Sequence, residues 1–188
     1  MPTWGWIALA VLVVVLVGVA LVAARTRSSK HSERLKRHYG PEYERVVAQT
    51  GDHHAAEAEL LARERKVKKL DIVPLSADAQ QMYSEQWRAV QTGFVDNPTT
   101  AVKEADILVN QVMRERGYPV DDFDQRAADI SVDHPGVVED YRAAHGIYLS
   151  QQGGRTGTEM QREALVHYRA LFQKLLGTEQ DTAKEARA

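Results

Sequence analysis

The chain contains no cysteine. That excludes disulfides, thiolate metal sites and cysteine nucleophiles, though it does not fix a compartment. Glycine-rich phosphate loops, Ser-His-Asp elbows, HExxH and EF-hand patterns are missing too. No alternating β pattern of useful length occurs. "LDIVPL" is the one β-favouring run, and Pro74 demotes it. Recognisable catalytic signatures are therefore absent, and what the sequence does offer is membrane and helix patterning.

Charge is missing altogether from Trp4 to Ala24, 21 residues of mostly Val, Leu and Ala. At ~1.5 Å rise per residue this run matches the roughly 30 Å hydrocarbon core, so a transmembrane helix is expected over residues 1–24. A cleaved signal peptide is the alternative, with Ala20, Ala23 and Ala24 near a cleavage point. It fits less well, since no Lys or Arg precedes the run and the run exceeds the usual apolar stretch. After it come Arg25, Arg27, Lys30, Arg34, Lys36 and Arg37. Under the positive-inside rule this places the C-terminal side in the cytoplasm of a bacterial inner membrane, with Trp4 and Trp6 at the opposite interface. The same six cations are candidates for contact with anionic lipid headgroups, each contributing about 1 kcal/mol before screening.

The formal net charge of -2 conceals an asymmetry: residues 1–69 balance to +5 and residues 70–188 to -7. The basic part adjoins the apolar run. Neither that part nor "RERKVKK" carries the interleaved aromatics of a nucleic-acid module, so nucleic acid is not an expected partner.

Beyond the apolar run, Pro41, Pro74, Pro98, Pro119 and Pro135 punctuate a helical pattern. Residues 25–71 read as a basic juxtamembrane segment and exposed helical stalk, with a break at Gly40 and Pro41 and another at Thr50–Asp52. Pairing with a second copy through the stalk is an alternative use of it. From Ser76, a helix cap, "ADAQQMYSEQWRAVQTGF" sets Met82, Tyr83, Trp87, Val90 and Phe94 at helical spacing. A helix from Asn97 and Pro98 follows, facing Ala101, Ala105, Leu108 and Val112 inward. Helices at about 121–130, 135–150 and 158–176 complete the set, the last with Thr156 and Glu159 at capping-box spacing and Met160, Ala164, Tyr168, Leu171, Phe172 and Leu175 as its stripe. An all-α fold is expected: a bundle of about five short helices over 72–177, a tether before it, and a tail, 178–188, too polar to pack.

One stretch, "RAADISVDHP", invites a catalytic reading through Asp129, Asp133 and His134, as in a metal- or carboxylate-dependent hydrolase. Its end, "VDHP", matches "VDNP" at Val95–Pro98, which suggests one helix-start device used twice. His134, His145, His167 and Glu163 are the weak metal candidates. Their spacing matches no ligand motif, Glu163 and His167 lacking the Glu-x-x-His separation of di-iron bundles, and no cofactor is expected. Tyr141, His145 and Tyr148, and the cluster His167, Tyr168 and Arg169, are expected as interhelical packing or a polar pocket.

The combination "FVDNPTTAVKEADILV", "RGYPVDDFDQRAADISVDHP", "VVEDYRAAH" and "VHYRALFQKLL" resembles a group of bacterial hypothetical proteins, often actinobacterial and sometimes labelled secreted. The similarity covers about residues 76–176, behind one N-terminal apolar segment. The group has no assigned activity, so the resemblance implies a bacterial membrane setting and no site residues; the secreted label runs against the charge-based orientation. The functional expectation is a membrane-anchored, non-enzymatic adaptor, scaffold or regulator that binds another protein, with lipid-responsive regulation at the membrane surface as a further alternative.

Overall fold

Glycine and capping side chains set the breaks between helices. The computed structural model describes residues 31–154 and 156–177, together with Leu12. The apolar run Trp4–Ala24 (Leu12 apart), the cations Arg25, Arg27 and Lys30, and residues 178–188 lie outside the described residues. Helix α1 is described over 31–39, and Gly40, at φ +52°, ends it. Helix α2 (Pro41–Thr50) closes on Gly51 at φ +73°, and α3 (His53–Val67) opens on Asp52, whose carboxylate accepts the Ala55 N–H at 2.8 Å. An extended linker leads to α4 (Ala77–Gly93), capped by Ser76, and to α5 (Pro98–Glu115), capped by Asn97. Helices α6 (Phe123–Asp133), α7 (Val138–Gln152) and α8 (Thr158–Leu176) follow. Every regular element among the described residues is a helix, in agreement with the all-α expectation, and no described helix is long and apolar enough to cross a membrane.

The main core gathers around α5, whose Ala101, Val102, Ala105, Leu108, Val109, Val112 and Met113 are all buried against α4, α7 and α8. Trp87 of α4 stacks on Phe172 of α8 with ring centroids 4.6 Å apart. Met82 and Met160, expected on the inward stripes, are exposed. In α4 the buried positions are Ala79, Tyr83, Trp87 and Val90, and the flexible methionine lies just off that face.

A second, separate core corrects the expectation of an exposed stalk over 42–70. Leu35, Tyr39, Tyr43 and Val46 of α1 and α2 bury themselves against Ala56 and Leu60 of α3. Helix α3 then lies along α6. Tyrosines from the basic segment supply the apolar surface that the aliphatic residues alone do not, because a phenol ring packs its body while its hydroxyl finds a polar partner. Tyr43 does so, reaching Glu57 at 3.1 Å.

The contact between the two cores is polar. The fully buried Glu42 carboxylate takes a bidentate fork from Arg142 of α7, with one contact at 2.9 Å, and a further bond from Arg63 of α3 at 2.8 Å. Burial by itself would raise the Glu42 carboxyl; the hydrogen bonds and charges of Arg142 and Arg63 outweigh it and hold the group below its ordinary value. Arg63 also reaches Ser131 of α6, and His38 Nε2 lies 2.8 Å from the Val132 carbonyl.

The expected second use of the helix-start device is overturned. Asn97 does cap α5, its side chain accepting the Thr100 N–H at 3.0 Å with Pro98 at the first helical position. At "VDHP" the chain instead ends a helix. Asp133 is the last residue of α6, His134 is its C-cap, and the His134 N–H closes on the Ile130 carbonyl at 2.8 Å. Helix α7 begins only at Val138, without a side-chain cap. The reason is length: α6 runs on from Asp122 until Pro135 stops it, and Pro135 and Gly136 are spent on the turn. Thr156 likewise caps nothing, since α8 starts behind Gly157 without a side-chain cap, and Glu159 pairs with Arg162.

Candidate functional site: a groove between the two cores

The linker at 70–75 decides where the surface opens. Val73 N–H donates to the Arg116 carbonyl at 2.9 Å, and Arg116 Nε donates back to the Val73 carbonyl at 3.3 Å. Gly117 permits this clasp: at φ +96°, a Cβ there would lie 2.3 Å from the Asp71 carbonyl oxygen. The clasp fixes the extended linker beside the α5–α6 loop, and a groove of about 1060 Å³ remains between the linker, α1, the end of α3, the turn after α6 and the end of α8.

Val67, Ile72, Pro74, Pro135 and Val137 line the groove together with Arg34, Lys68, Arg116 and Lys174 and with His38 and His134. Glu64 and Asp133 are its carboxylates. Arg34 and Glu64 cancel one another at 3.1 Å. Asp133 accepts the Tyr118 hydroxyl at 2.6 Å, and that bond follows burial as a cause of a strongly raised phenol, so Tyr118 stays a neutral donor. Arg116 meets main-chain carbonyls, including Leu175 O at 3.1 Å, and Lys68 is exposed with no ion pair among the described residues. The groove thus carries cationic excess in a domain whose sequence balance from residue 70 onward is acidic.

Of the residues singled out by sequence, Asp133 and His134 line the groove together. Asp129 is fully buried, held by Lys66 Nζ at 2.8 and 3.0 Å and by Gln125 at 2.9 Å, which ties α3 to α6. The trio expected for a hydrolase is therefore divided between an internal ion pair and the groove wall. The metal candidates are divided as well. His145 stacks on Phe123 at 3.7 Å between centroids and faces Asp106 at 3.7 Å. His167 is 2.7 Å from Asp140 and 3.7 Å from Glu163, a polar cluster on α7 and α8. No group of three or more His, Asp or Glu side chains that could hold a metal ion occurs among the described residues.

Tyr141 and Tyr168 resolve as packing with satisfied tips, whereas Nδ1 of the neighbouring His145 is buried without a hydrogen bond among the described residues. Both phenol rings are fully buried, Tyr168 donating to Asp106 at 2.8 Å and Tyr141 receiving Arg126 Nε at 3.0 Å. Burial pushes the Tyr141 phenol up to about 12 against the opposing charge of Arg126. Of the headgroup candidates, Arg34 is turned to Glu64, Lys36 lies over the Tyr43 ring at 5.2 Å, and Arg37 is exposed. Sequence reasoning missed Glu42, Arg63, Lys68 and Arg116; the local sequence "RGYP" marked the turn at Gly117 but not what packs on it.

Taken as a class, the described residues form an all-helical fold with two cores joined by buried ion pairs and a cation-rich groove beside the joint. Comparison of the chain with protein-family models, curated proteins and solved structures finds no match.

Proposed function

We propose that the protein is a single-pass membrane adaptor: Trp4–Ala24 anchors it, the helical domain faces the cytoplasm, and the groove receives another protein without catalysis. The observation that carries this reading is the groove itself, open and lined by both apolar and cationic side chains, with Arg34 and His38 of α1 among them. Arg34 follows Ala24 by ten residues, a reach of at most roughly 35 Å even if fully extended. A tether of that length would keep the groove close to the bilayer surface, where a membrane adaptor meets its clients. The two groove residues from the catalytic trio, Asp133 and His134, serve in this reading as wall and turn.

Three measurements test it. Carbonate extraction should leave the protein in the membrane pellet. A cysteine placed by Gln173→Cys, in a chain with no cysteine of its own, should resist a membrane-impermeant maleimide until the cells are opened. A photo-crosslinking side chain at Val137 should form a discrete protein adduct that the same group at the exposed Lys103 does not. Release by carbonate would remove the anchor, labelling in intact cells would reverse the topology, and adducts indifferent to position would end the adaptor reading.

A further inference from the structure

We infer that the groove takes an extended peptide segment in which carboxylates alternate with apolar side chains, supplied by a partner protein. The inference rests on the adaptor reading and names the chemistry of its partner. Three features argue for it. The groove, at about 1060 Å³, is at the upper edge of the roughly 300–1,000 Å³ usual for small-molecule pockets, and it is open to solvent rather than enclosed. Of its cations, Lys68 stands at the end of α3 and Arg116 in the α5–α6 loop, so the positive charge is supplied by separate elements. A segment with more than one carboxylate can meet cations supplied by separate elements, and its side chains between them can meet the apolar lining. Finally, Ile72, Pro74, Pro135 and Val137 line the same groove and give apolar side chains a surface to cover.

Charge also gives direction. The sequence from residue 70 onward balances to -7, so a groove with more cations than carboxylates stands out against that balance and favours an acidic segment. Complementarity of this kind fixes register and speeds encounter more than it deepens affinity. Arg116 is held in place by the Val73 and Leu175 carbonyls, so its guanidinium is set before a partner arrives.

The test uses the full chain in phosphatidylcholine nanodiscs and a fluorescein-labelled peptide of alternating glutamate and leucine, followed by fluorescence anisotropy. A lysine–leucine peptide is the control. The acidic peptide should bind, weaken as salt rises, and weaken about tenfold with Lys68→Glu, while Lys103→Glu on the exposed face of α5 leaves it unchanged. Arg116→Gln should weaken it as well; if that variant loses its helical circular dichroism, Lys68→Glu, at an exposed position, carries the test alone. Absence of binding, equal binding of the lysine–leucine peptide, or indifference to Lys68→Glu would overturn the inference. Lys68-dependent binding to phosphatidylglycerol vesicles in place of the peptide would assign the groove to a lipid headgroup and overturn it too. A groove-specific protein adduct at Val137 together with failure of the acidic peptide would leave the adaptor standing and refute this partner chemistry alone.

Discussion

Glu42→Ala is the substitution whose cost follows most directly from the geometry. Glu42 is fully buried, and its two arginines are nearly so, with Arg63 and Arg142 side chains 11% and 13% exposed. Removing the shared carboxylate leaves two guanidinium groups facing each other in a region with little water. Breaking a buried ion pair from one side costs about 3–5 kcal/mol. Here Arg63 retains Glu59 and Arg142 retains Glu139, both partly exposed, so the expected loss is at the lower end, about 3 kcal/mol. Against a typical domain stability of roughly 5–15 kcal/mol this is a large fraction, equivalent to a fall in Tm of about 6–12 °C. Because the folded Glu42 carboxyl sits below its ordinary value of 4.5, its contribution is complete above that value and is lost as pH falls through the lower, folded one. The deficit of the variant should therefore be full at neutral pH and shrink in acid. Replacing all three members, Glu42→Leu with Arg63→Met and Arg142→Met, removes the charges together and should recover most of the loss. Urea unfolding followed by circular dichroism measures each. A Glu42→Ala variant within about 0.5 kcal/mol of the parent, the ordinary range for inconsequential surface changes, or a deficit that does not change with pH, would refute the reasoning.

Lys66→Ala leaves the fully buried Asp129 with Gln125 as its remaining partner; with Lys66 itself 41% exposed the cost should fall below that of a fully buried pair, about 2 kcal/mol, reduced by Asp129→Asn in the same chain, as a double-mutant cycle would read. Gly117→Ala must force the Asp71 carbonyl away and hold a positive φ; a loss of about 2 kcal/mol or more in urea titration is expected, against about 1 kcal/mol for Gly40→Ala, where the space is open. Asn97→Ala removes a helix cap and should cost about 1 kcal/mol, while His134→Ala, at a helix end, should leave exchange protection at the first turn of α7 unaltered; hydrogen exchange separates the two.

Sequence alone determined the helices and many of their ends. Ser76 and Asn97 cap through local bonds to an amide three residues on, Gly40 and Gly51 supply positive φ, and α5 and α8 repeat apolar residues at the helical period, so these signals are complete within a few neighbours. Tertiary structure decided the rest. Glu42 and Arg142 are a hundred residues apart, and Lys66 and Asp129 sixty-three, so their charges looked like solvated helix faces until the fold made partners of them. The stretch thought to be a stalk became a second core for the same reason: its tyrosines count as apolar only once α3 folds over them. "VDNP" and "VDHP" share their local chemistry, yet one begins a helix and the other ends one, because whether proline starts or stops a helix depends on the chain already wound before it. The groove is the furthest from the sequence, as its walls come from five separated segments, and a space between elements exists only when the elements have packed.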